Sequence, residues 1–156
     1  MKQRIGFLVL FLVLLVAVSC TKKMYPDLSA EVTYLSGDEQ TVTVRAVGVG
    51  NSDNQAFINA EQKVFDVLFF RGLPESVQKL PLVSNDESGE MKKHKNYFDE
   101  FYNGGRYKTF VMSSIPTSNT VKLQGGQKMV TVDLRVNLWA LRRDLETFNV
   151  IRKFGY

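Results

Sequence analysis

The chain has 156 residues, with 20 lysines and arginines against 16 acidic residues, one histidine and one cysteine. That length supports one hydrophobic core, a lone cysteine excludes an internal disulfide framework, and a lone histidine leaves His94 as the sole support for any histidine-activated nucleophile. A net charge of +4 is too modest to point to nucleic acid, the more so because Lys2 and Arg4 fall in a segment that reads as removable.

That segment is the first predicted element. Lys2 and Arg4, an apolar run ending at Val18, and then Ser19 and Cys20 have the organisation of a secretory signal peptide. As a helix, residues 5–18 would span roughly 21 Å, short of the roughly 30 Å hydrocarbon core of a bilayer. With Val18 and Ser19 in front of it, Cys20 resembles the lipobox cysteine of bacterial lipoproteins, although Ala17 stands where leucine is commonest. In that family the thiol is diacylated and the chain is cut before it. The resemblance implies a signal peptide over 1–19, lipidation of Cys20, a mature chain of about 137 residues and a mature net charge of about +2. Thr21, Lys22 and Lys23 follow, where surface-exported lipoproteins carry an acidic run and inner-membrane ones an aspartate. The expected location is therefore the outer membrane, facing the periplasm. Residues 20–39 read as tether and lead-in. The stretch from Thr21 to Ala30 reaches at most about 35 Å, which keeps the domain over 40–156 close to its membrane.

The domain opens with an alternating strand, Thr41 to Val47, and a turn through Gly48-Val49-Gly50-Asn51-Ser52-Asp53. A helix is predicted from there to about Arg71, stopped by Gly72, with Ala56 and Ala60 small enough to bring it against a sheet. Pro74, Pro81 and a polar run at 84–89 make the next stretch an irregular connection. A second helix is expected over Glu90–Tyr102, with Tyr97, Phe98, Phe101 and Tyr102 on one side, ended by Gly104-Gly105. A strand is expected over Tyr107–Met112. Thr120–Leu123 and Met129–Asn137 form a hairpin about Gly125-Gly126. Clean alternation in the last strand predicts one buried face and one wet face. A C-terminal helix, Leu138 to about Phe148, carries a stripe of Leu138, Leu141, Leu145 and Phe148, and an i,i+4 pair of Arg142 with Glu146. The fold class is α+β: an antiparallel sheet of three to four strands with two or three helices on one face.

A strand ending in Val47-Gly48-Val49-Gly50 and then a helix with spaced alanines is similar to the amino-terminal domain of flagellar assembly protein T and to related small lipoprotein domains. The aromatic helix at Tyr97–Tyr102, the strand after it and the Val130–Val136 alternation continue the likeness over roughly residues 40–151. Fewer alanines in the first helix and a longer polar insertion near 84–90 depart from it. The resemblance implies a structural or assembly role in an envelope complex and brings no catalytic residues.

Little chemistry stands against that. His94 lies among Lys92, Lys93 and Lys95 with no acid expected to orient it, and reads as a surface residue. Zinc and calcium sites lack their ligand sets. Gly48-Val49-Gly50 lacks the third glycine of a dinucleotide fingerprint, and Asp53 would repel a pyrophosphate there. No catalytic residue, cofactor or metal is assigned, and the chain reads as non-enzymatic. Tyr97 and Tyr102, placed at a rim, and the terminal Phe154 and Tyr156 are the candidate partner contacts. The partner classes are the membrane through Cys20, an envelope protein and, as the alternative, a glycan or peptidoglycan bound by the aromatic patch.

Overall fold

A computed structural model of the chain describes residues 32–153. Cys20, the signal segment and Phe154–Tyr156 lie outside that range.

Two long strands make the centre. β2 (Thr41–Gly50) and β5 (Lys128–Asn137) pair antiparallel along their full length, from Thr41 opposite Asn137 to Gly50 opposite Lys128. β1 (Thr33–Gly37) flanks β2, while β3 (Val111–Pro116) and the two-residue β4 (Val121–Lys122) both lie along β5, giving the order β1-β2-β5-β3. Val42, Val44 and Ala46 on β2 and Val130, Val132, Leu134 and Val136 on β5 share the buried face. Arg45 and Asp133, cross-strand partners on the other face, form an ion pair at 2.7 Å. That bond holds the Asp133 carboxyl below its usual range.

The covered face is closed by helices. α1 (Asp53–Phe70) starts at Ser52, whose Oγ accepts from the Gln55 N–H at 3.1 Å. It ends where Gly72 takes φ +76° and donates its N–H to the Val67 carbonyl at 2.7 Å. This helix lies unusually close to β2. A Cβ on Gly48 would stand 2.0 Å from the Ala56 carbonyl oxygen and 2.8 Å from the Ala60 Cβ. Glycine on the strand and alanine on the helix are thus one device for close approach, and the space above Gly48 and Gly50 belongs to α1 rather than to a nucleotide.

The fold is α+β, with five strands and four α-helices among the described residues, so both sheet and helical layer are larger than expected. The extra strand is β1, which lies in the stretch read as lead-in; its Tyr34, and Val32 just before it, pack against the core. The second helix begins earlier, at Glu87, because the Asp86 carboxylate accepts from the Gly89 N–H at 3.0 Å. It breaks at His94 (φ −112°, ψ 36°) into α2 (Glu87–Lys93) and α3 (Lys95–Tyr102). The expected strand over Tyr107–Met112 is instead a 3-10 helix, Arg106–Phe110, followed by β3. Tyr107 and Phe110 are three residues apart, share one side of such a helix, and are both buried. The hairpin forms as expected, with Gly125 and Gly126 at φ +92° and +86°. α4 (Leu138–Thr147) then returns to the core through Leu138, Leu141 and Leu145.

Candidate docking groove

On α4, on the flank beside the three leucines, Trp139, Arg142, Arg143 and Glu146 form a stripe spaced i, i+3, i+4, i+7. Facing this stripe is the connection 77–82, which is ordered. Its backbone is tied to the end of α1 by Leu82 N–H to Leu68 carbonyl (2.9 Å) and Val83 N–H to Phe69 carbonyl (3.0 Å). The turn that leads into it is closed by Leu73 N–H to the Gln78 carbonyl at 2.7 Å, with buried Ser76 donating to the Leu73 carbonyl at 2.8 Å. Gly72 lies against the same loop: a Cβ there would stand 2.3 Å from the Lys79 carbonyl oxygen.

Between loop and helix runs a groove of about 820 Å³. Its apolar rims are Leu80 (75% exposed), Trp139 (54%) and Val77 (51%). Its polar side is set by Gln78, which is buried. The Gln78 amide nitrogen donates to the Leu80 carbonyl, and its amide oxygen accepts from the Arg142 guanidinium. The Arg143 guanidinium stands over the Trp139 ring, 5.1 Å from its centre. The expected Arg142–Glu146 pair does not form, since Arg142 turns to Gln78. Among the described residues no carboxylate lies within ion-pair distance of Lys79, Arg142 or Arg143. Apolar walls with a few convergent polar groups are the usual make-up of a binding site.

The tyrosines singled out in the sequence are elsewhere and otherwise engaged. Tyr97 is 8% exposed and donates its hydroxyl to Asp144 at 2.9 Å. Tyr102 is half-buried and donates to Asp66 at 2.5 Å. Burial, and then the neighbouring carboxylate, hold both phenols well above the ordinary range. Tyr107 does the same with Glu61 at 3.2 Å and is pushed up to about 12, mainly by burial. Tyr97 and Tyr102 are internal pins between the α3 layer and α4 or α1, so the aromatic surface expected at them is not presented. Phe148, expected in the leucine stripe, is exposed beneath Arg106, whose guanidinium is 4.2 Å from the ring centre. Cys20, Phe154 and Tyr156 lie outside the described residues.

His94 is also placed differently from the expectation. Its side chain is 16% exposed at the junction of α2 and α3, and Glu90 Oε2 stands 3.4 Å from Nε2. The acid is one helical turn back, which the sequence reading overlooked. Among the described residues no group of three histidine, cysteine or acidic side chains could hold a metal ion, and no helix is long and apolar enough to cross a membrane. A smaller hollow of about 410 Å³ lies at the start of α1, where Asp53 is paired with Lys128 at 3.4 Å.

No family model, curated protein or solved structure matches the chain. The reading of the groove therefore rests on its own geometry. A signal for it existed in the sequence: the lone tryptophan and two arginines recur at helical spacing on the flank beside the leucines. What hid it was the facing wall, a proline-bounded loop with no periodicity.

Proposed function

We propose that this chain is a lipid-anchored bacterial lipoprotein whose domain works as a non-enzymatic interaction or assembly module in the cell envelope. Cys20 would carry the lipid, with the domain on the periplasmic side of the outer membrane, and a protein partner would dock in the groove between 77–82 and α4. The observation that carries the docking role is a concave surface with Leu80, Trp139 and Val77 held exposed on both rims by an ordered scaffold. Large apolar side chains left in water on a fixed frame suit a surface that is covered in use. Support for the anchor comes from the lipobox-like run to Cys20, and for an assembly role from the likeness to the amino-terminal domain of flagellar assembly protein T.

The test has two arms. Labelled palmitate should mark the native chain, and Cys20→Ser should abolish labelling and move the protein out of the membrane fraction; retention of the variant in membranes would refute the anchor. Proteins recovered in stoichiometric amount with the native chain should be lost with a Trp139→Ala, Leu80→Ser double variant of unchanged thermal midpoint. Full recovery with that variant would refute docking at the groove.

A further inference from the structure

Building on the docking role above, we infer that the groove receives an apolar peptide segment bearing carboxylates, presented by a different protein. The charge is the deciding feature. Lys79, Arg142 and Arg143 face the groove against a single acid, Glu146, and none of the three cations is paired within the described residues. Arg142 is also prepared for the task. The residue is half-buried and its guanidinium is aimed by Gln78, which is itself fixed through its backbone N–H to Ser76 Oγ (2.9 Å) and through its side-chain amide to Leu80. One of five guanidinium N–H groups is spent on this positioning, which leaves a forked set for a carboxylate. Arg143 is steadied over Trp139 and offers a second cation a turn-adjacent step away.

Shape and charge together select among occupants. Two copies of this chain meeting at the groove by twofold symmetry would bring three cations onto three cations, a costly juxtaposition. An anionic bilayer would satisfy the charge, but a bilayer meets projecting groups, whereas Arg142 is half-buried and tied to the buried Gln78 in the recess between loop and helix. A chain segment inserts into such a recess, its apolar side chains against Leu80, Val77 and Trp139 and its carboxylates against the arginines. Helix-in-groove docking of an amphipathic segment has this form.

Trp139 is the one tryptophan in the chain, so intrinsic fluorescence reports on the groove directly. Full-length lipidated protein in neutral detergent is titrated with two capped amphipathic ten-residue peptides that share leucines and differ only in glutamate against lysine at the remaining positions. The glutamate peptide should shift Trp139 emission and saturate, and Arg142→Gln should weaken it by about tenfold. Equal binding of both peptides, or binding unaffected by Arg142→Gln, overturns the inference. So does a shift produced by anionic phospholipid vesicles but not by the glutamate peptide. In cells, a photo-crosslinking residue in place of Leu80 is followed by sequencing of the crosslinked segment. An acidic, apolar segment of another protein supports the inference. A neutral or basic segment overturns it and leaves the docking role intact; a crosslink to a second copy overturns it likewise. No protein crosslink at all removes the docking role as well.

Discussion

Phe101 is the point at which the aromatic core converges. It is fully buried, with ring centres of Phe69 at 5.0 Å, Tyr102 at 5.1 Å and Phe65 at 5.2 Å, the last edge to face. Phe101→Ala should cost about 3–5 kcal/mol in urea denaturation, because rings held by two elements cannot collapse onto the space. A loss below about 1 kcal/mol would mean the cluster relaxes freely. Asp66 behaves differently. Burial raises its carboxyl above the ordinary range, outweighing the Tyr102 hydrogen bond that opposes the shift. An acid raised in the fold favours the native state while protonated, so its contribution is full below the unfolded value of 3.8 and is lost as pH rises through the folded value. Asp66→Asn keeps an oxygen for the Tyr102 hydroxyl and removes the buried charge. Its melting temperature relative to the native chain should therefore rise between pH 3 and pH 7; a relative fall over that range would show that the charge is favourable. The apolar spacing of Tyr97, Phe98, Phe101 and Tyr102 was legible in the sequence. The fate of the hydroxyls was not, because Asp144, Asp66 and Glu61 come from positions 36 to 47 residues away.

Among the elements, the contact of α1 with β2 has the tightest tolerance. Gly48→Ala places a methyl where the Ala56 carbonyl and the Ala60 backbone already stand. Both neighbours are backbone, so the helix itself must move. The expected loss is about 1–3 kcal/mol or more, read as a fall in the denaturation midpoint; an unchanged midpoint would show that α1 can lift off without cost. The strand, the turn, the capped helix and its glycine stop could all be read from local pattern, since caps and periodicity are written within a few residues of where they act. Three readings failed for reasons of the same kind. A strand was expected across Tyr107–Phe110, but its two apolar residues, Tyr107 and Phe110, are three apart, and burying both favours a turn of three. A continuous aromatic helix was expected across His94, where the chain bends so that α3 buries Tyr97, Phe98 and Phe101 while α2 contributes the half-buried Met91. β1 lacks strong alternation and becomes a strand only because β2 offers it an open edge.

At the scale of the molecule, stability should be graded outward from β2 and β5. These strands pair over ten residues each, and one face of both lies under α1. α2, by contrast, has no buried residue. In native-state hydrogen exchange the amides of β2 and β5 should be the slowest and those of Glu90–Lys93 among the fastest; equal protection of both would mean that the chain opens only as a whole. The groove lies on the side of this gradient that needs support, and gets it from Gly72, Ser76 and Gln78, which lock the loop to the end of α1.

What the sequence determined alone is the class: one core, an alternating pair of strands, and a capped helix stopped by glycine. These follow from local chemistry, where a residue's neighbours in the chain are its neighbours in space. Tertiary structure decided which polar groups meet. Arg142 finds Gln78 across 64 residues rather than Glu146 one turn away, and a loop without periodicity becomes one wall of a groove. Pairing across such distances depends on how α4 and the end of α1 come to rest on one sheet, and no local pattern encodes that.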